Sequence, residues 1–342
     1  MNITELLRER HFRRRLFPVE MVTLSYAALT LLLVLISWGR MSNPLWLVSQ
    51  RLLVAGAVLC VYAFNKMRPC AVTRFLRHLL PLCLLGFWYP DTYEFSRLWP
   101  NLDHVFAQTD LTLFNFQPAL TFAWEFPQPF VRELMNLGYF SYYPMIAVGA
   151  FLPLVKGRKL FEKSVFIIIA SFFLFYIIYL FLPVAGPQFY FPAIGVDNAM
   201  QGNFLPVGDY FAHHAELPPS VARDGFFGSL VSFIQQGERP TAAFPSSHVG
   251  VATILMIQFV RHHRRAAIIF APFYLLLCVS TVYIRAHYLI DVFGGLACGV
   301  IFYFLVRAAY KPLKGKSSYH RSSHHHHHHH TQTPTQTNNM NQ

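Results

Sequence analysis

Charge is what this sequence has least of. Only 13% of its 342 residues are Asp, Glu, Lys or Arg, while 54% are hydrophobic and 16% aromatic. A soluble globular chain carries about twice that share of charge, so a water-soluble fold is excluded. Acidic residues are the scarcer sign, 16 against 28 Lys and Arg, for a formal net charge of +12. That excess does not point to nucleic acid, because the basic residues come in short clusters between apolar runs, which is the pattern of cytoplasmic membrane loops. Cysteine is scarce as well. Cys60, Cys70, Cys83, Cys278 and Cys298 are odd in number and have no metal-ligand spacing, which excludes a disulfide framework and leaves them as core residues. Internal repeats are absent, which argues against a transporter built from paired halves. No cleavable leader is expected, since the first apolar run is long and follows five arginines.

What is present is a series of apolar runs of membrane-spanning length, about twenty residues each. They fall near 18–38, 44–64, 73–90, 133–154, 164–186, 246–261, 266–285 and 288–308. The expected fold is therefore an all-helical, polytopic membrane protein of about eight spans, with both termini on one side. The clusters Arg8 to Arg15, Lys66–Arg77, Lys156 to Lys163, Arg261 to Arg265 and Lys311–Lys316 all fall on the terminus side, which the positive-inside rule makes cytoplasmic. All seven aspartates, from Asp91 to Asp291, fall on or at the boundary of the other side.

Two motifs at that outer side carry chemistry. Pro245-Ser246-Ser247-His248 reads as a helix start, with proline preset for the first turn and serine able to cap. Free N–H groups there, with the helix dipole, favour a phosphate, and His248 would reach its leaving oxygen. In Arg285-Ala286-His287-Tyr288-Leu289-Ile290-Asp291 the histidine and aspartate lie four apart, on one helical face. A carboxylate placed so takes the proton-bearing ring nitrogen and leaves the other as nucleophile. Arg285 adds a planar fork for phosphate oxygens. The basic hinge 261–265 turns the chain between two runs, so His248 and His287 are expected to meet at one face.

These residues resemble the second and third signature motifs of the type-2 phosphatidic acid phosphatase superfamily. The resemblance implies that His248 is the general acid, His287 the nucleophile and Asp291 its orienting carboxylate. It also implies a lipid or lipid-linked phosphate as substrate and no cofactor or metal. Two departures from the lipid phosphatases stand out. Thr281 occupies the position of their arginine six before the nucleophile, and their upstream lysine motif is missing, with Ser232 seven before Arg239-Pro240. Arg285 two before the histidine is instead similar to the inositol phosphorylceramide and sphingomyelin synthase branch. The expected function is a lipid phosphotransferase like inositol phosphorylceramide synthase, working through a phosphohistidine; the alternative is a lipid phosphate phosphatase. Arg285, Ser246, Ser247 and Arg239 are the expected phosphate-binding residues.

Three divisions follow: helices and an aromatic segment over 1–132, a catalytic core over 133–310, and a disordered, His-rich tail over 311–342. The aromatic stretch 91–132 reads as a surface loop at the membrane interface or as a shelf that admits lipid. Arg51, inside the second run, reads as a functional charge or as a side chain that snorkels outward. Asp209 and His213 are a solvated pair or two metal ligands, the former on spacing so common. The histidines at 324–330 are a tag or a native tract.

Overall fold

A computed structural model describes residues 2–219 and 224–315. The 324–330 histidine run and nearly all of the expected tail lie outside them. Every regular element among the described residues is helical. The longer helices are α1 (Pro18–Ile36), α2 (Pro44–Met67), α3 (Ala71–Cys83), α4 (Leu85–Asp91), α5 (Asp103–Phe114), α6 (Pro118–Glu125) and α7 (Pro129–Phe140). They are followed by α8 (Tyr142–Phe151), α9 (Arg158–Phe181), α10 (Pro187–Ile194), α11 (Phe226–Ile234), α12 (Ser247–His262), α13 (Arg264–Tyr283) and α14 (Leu289–Lys314).

Six helical segments among these residues are long and apolar enough to cross a membrane: α1, α2, α7 through Lys156, α9, α13 and α14. The other two expected spans are helical but shorter. The 73–90 run breaks at Leu84 into α3 and α4, and α3 carries Arg74 and Arg77 inward onto acids. Arg77 bonds both carboxylate oxygens of Glu20 on α1, at 3.1 and 3.2 Å from Nε, and Arg74 Nε meets Glu162 of α9 at 2.7 Å. The other short one, α12, has sixteen residues and lies among α8, α9, α13 and α14. The expected 164–186 run also ends early, with α9 stopping at Phe181, since Leu182 precedes a proline and takes an extended conformation. Pro187 instead opens α10.

The bundle is organised around α9. In its most apolar stretch 78% of residues are buried, against 22% in α2, so α9 is the central pole and α2 faces outward. Arg51 on α2 does not snorkel. Its guanidinium is fully buried in an ion pair with Asp91 and also bonds Thr30 Oγ1 and the Leu47 carbonyl. Breaking such a pair leaves a buried charge and costs about 3–5 kcal/mol.

Against the pole, α12 packs on α14 and α13. Small residues set that contact. A Cβ on Gly295 would lie 2.4 Å from the Ser246 carbonyl oxygen, and one on Gly299 would lie 2.6 Å from that of Gly250. The two helices therefore touch backbone to backbone, and their N-terminal ends converge. The 91–132 segment is not a plain surface loop. Its helices α5 and α6 pack on α14 and α13, while Phe116, Trp124 and Phe126 stay exposed.

Candidate active site

The site forms where the starts of α12 and α14 meet. Ser246 is the N-cap of α12, with its Oγ accepting from the Val249 amide at 3.2 Å. Pro245 precedes the cap and does not enter the first turn; its carbonyl accepts from the Tyr179 hydroxyl. The Ser246 amide donates to the Asp291 carbonyl at 3.0 Å, so the two motifs are bonded to each other directly. Ser247 and His248 are the first two helical residues, whose amides a helix leaves without internal partners.

His248 is 6% exposed and His287 is 3% exposed. Their ring centroids lie 5.7 Å apart, although thirty-eight residues separate them in the chain. The His248 ring is held between Tyr139, at 4.9 Å, and Tyr142, at 4.6 Å. Its Nδ1 is buried without a hydrogen-bond partner.

His287 owes its position to the end of α13. Arg285 adopts a left-handed conformation, φ 64°, and the amides of Ala286 and His287 both return to the Thr281 carbonyl, at 3.0 and 3.1 Å. This is a left-handed helix cap with arginine where glycine is usual. It turns His287 toward the segment that leads into α12, where its Nδ1 donates to the Ala243 carbonyl at 2.7 Å. Because a carbonyl can only accept, Nδ1 carries the proton and Nε2 keeps its lone pair. Burial lowers the His287 pKa to about 4, with the Ala243 bond working the other way, so the ring is neutral near pH 7.

Asp291 does not hold this proton as the i,i+4 spacing suggests. Its Oδ2 is 3.5 Å from His287 Nδ1 and takes the Tyr288 amide at 2.8 Å. As the third residue of α14 it caps the helix start, which draws it away from the ring. Its Oδ1 is buried and unpartnered. The Ala243 carbonyl is the nearer orienting group.

The two arginines are not brought to the histidines. The left-handed turn sends the Arg285 side chain toward α6, where Nε and Nη2 bond the carbonyls of Ala119 and Leu120 at 3.1 and 2.8 Å. Its guanidinium also lies 5.1 Å from the Trp124 ring centre. Arg239 lines a surface cavity of about 450 Å³ with Glu216, Gln235 and Glu238, and neither histidine lines it. Asp209 and His213 form an exposed pair, 3.4 Å between Oδ2 and Nε2. Neither belongs to a metal-binding cluster of three or more His, Cys, Asp or Glu, of which none occurs among the described residues.

A family model described as the PAP2 superfamily matches residues 105–305, well over half of the chain and inclusive of both histidines. The chain belongs to the PAP2 superfamily. It is thus a phosphatase or phosphotransferase, in a fold suited to several membrane crossings. No curated protein and no solved structure matches it.

The PAP2 match begins at 105, inside the aromatic segment, and that segment supplies site residues absent from the short motifs. Asp103 accepts from the Tyr288 hydroxyl at 2.7 Å and from the amides of Ala185 and Gly186 at 2.6 and 2.9 Å. Asp110 accepts from the amides of Leu289 and Ile290 at 2.8 and 2.9 Å. Their spacing, seven residues on one helical face in a chain poor in acid, was a readable signal. Tyr139 and Tyr142 gave none, because in sequence they look like the rest of an aromatic core.

Proposed function

We propose that this PAP2 enzyme is a lipid phosphotransferase resembling inositol phosphorylceramide synthase, with its site on the extracytoplasmic side. The observation that carries the reading is the pair of buried histidines, one with its tautomer fixed and Nε2 free. In the first step Nε2 of His287 attacks the phosphorus of a phosphodiester lipid, and the bond to the diacylglycerol oxygen breaks. Binding of the phosphate anion favours the imidazolium form of His248, close by, which gives that oxygen its proton. The phosphohistidine so formed keeps the head group. In the second step His248 takes the proton of an acceptor hydroxyl, whose oxygen attacks the phosphorus as the bond to Nε2 breaks. The first-turn amides of α12 stabilise the charge on the phosphate oxygens.

Phosphate charge favours a diester. Arg285 is bonded to carbonyls and Thr281 stands where phosphatases carry arginine, so the grip rests chiefly on amide dipoles. A diester carries one negative charge, whereas a monoester carries nearly two. Near-complete burial of both rings also suits transfer to a lipid hydroxyl in preference to water.

Purified protein given phosphatidylinositol and ceramide should yield diacylglycerol and a phosphorylated sphingolipid. Release of inorganic phosphate from phosphatidic acid, independent of ceramide and with no transfer product, would assign the enzyme to the phosphatases instead.

A further inference from the structure

Two helix N-termini converge at the histidines, and each is a ready anion site. Only one is capped by carboxylates. At the start of α14 the Tyr288 amide is taken by Asp291, and the Leu289 and Ile290 amides are both taken by Asp110. At the start of α12 the Ser246 amide bonds the Asp291 carbonyl, the Ser246 hydroxyl takes the Val249 amide and the Ser247 amide meets the Tyr179 hydroxyl, so no carboxylate side chain caps this end. Asp110 belongs to α5, far from either motif in sequence. It grips the two residues that follow Tyr288, next to the nucleophile.

We infer that Asp110 is a positioning and specificity-determining residue: it closes the α14 N-terminus to phosphate and fixes the His287 turn, so that substrate phosphate is directed to the α12 side, in line with Nε2. The inference rests on His287 being the nucleophile. Three further features fit it. A carboxylate with two amide donors is the protein's own substitute for a bound anion. Asp103, two turns away on the same face of that helix, takes the Tyr288 hydroxyl, so α5 holds both the Tyr288 side chain and the Leu289–Ile290 backbone. Arg285, two residues before the nucleophile, ties its own side chain to α6, which leaves His287 in a short segment fixed at each end. The same device recurs where Glu133 takes the amides of Phe227 and Gly228 at the start of α11, at 2.7 and 3.0 Å, so capping in trans is a habit of this fold.

The test compares wild type with Asp110→Asn, Asp110→Ala, Asp110→Glu and His287→Ala in detergent. Turnover is measured with phosphatidylinositol plus ceramide and with phosphatidic acid, inhibition with inorganic phosphate, and folding by thermal midpoint. For Asp110→Asn, kcat per folded molecule should fall by about 10²-fold, the cost of a small misplacement, with KM little changed. Asp110→Ala uncovers two amides, so inorganic phosphate should inhibit it several-fold more tightly than wild type. Asp110→Glu should restore part of kcat. A purely structural residue would lower the midpoint and the folded yield but leave kcat per folded molecule and phosphate inhibition alone. That result, in either Asn or Ala, overturns the inference while His287→Ala remains inactive. Activity in His287→Ala would instead overturn the proposed function, and the inference with it.

Discussion

At the scale of single residues, Arg285 is where spacing and geometry part. Its place two before the nucleophile suggests a phosphate fork, but a φ of 64° turns the side chain onto α6. Bidentate bonding to two carbonyls with stacking on Trp124 is a role that lysine cannot copy. Arg285→Lys should therefore lower stability by about 1–2 kcal/mol, the worth of charge-assisted bonds partly lost. The KM for the lipid substrate should change by less than about threefold, since uniform substrate binding is untouched. Both are read from thermal midpoints and Michaelis curves on one preparation. A large rise in KM with an unchanged midpoint would return Arg285 to the phosphate. The reassigned proton of His287 has the same kind of origin. The i,i+4 pattern presumes a helix through both residues, yet α14 starts only at Leu289, after the histidine.

At the scale of elements, the contact between α12 and α14 decides whether two distant motifs make one site. A Cβ at Gly295 would meet the Ser246 carbonyl oxygen at 2.4 Å, and that atom is backbone, so the helices themselves must part. Gly56, on the outward helix α2, has nothing within 4 Å of the same added atom. Gly295→Ala should thus lower turnover by about 10²-fold, as a shift on the order of 1 Å does. Gly56→Ala should leave turnover intact and raise stability by about 0.5–1 kcal/mol, the helix propensity gain alone. Equal behaviour of the two variants would mean that the close approach is unimportant. The three helices α12 to α14 were legible beforehand because motif, basic hinge and motif follow one another in order. The ion pairs within the third apolar run were not, since apolarity alone hides that Arg74 and Arg77 find Glu162 and Glu20. Nor was the docking of α5 on the site, because it depends on carboxylates meeting amides some 180 residues away. The seven-residue spacing of Asp103 and Asp110 shows that they share a helical face, but not which groups they meet.

At the scale of the whole molecule, the basic segments gather at one end of the bundle. Arg13 Nη2 reaches the Lys314 carbonyl at 2.8 Å, Arg77 Nη1 reaches that of Arg13 at 3.1 Å, and Lys156 bonds that of His262. Segments from five places in the chain thus share the end of α12 remote from His248. Such clustering is what the positive-inside rule reads, and on that rule we propose that this end lies in the cytoplasm and the histidines outside. The expectation can be tested in a cysteine-free background, with Cys60, Cys70, Cys83, Cys278 and Cys298 replaced. Asp209→Cys, in the loop on the histidine side, should react with a membrane-impermeant maleimide in intact cells. Lys156→Cys, at the basic end, should react only after permeabilisation. Both positions are exposed, so protection must come from the bilayer and not from the fold. The choice of side has a chemical consequence, because it determines which leaflet presents its head groups to the histidines. Labelling of Lys156→Cys alone in intact cells would turn the enzyme over, and its lipid substrate would then have to come from the cytoplasmic leaflet.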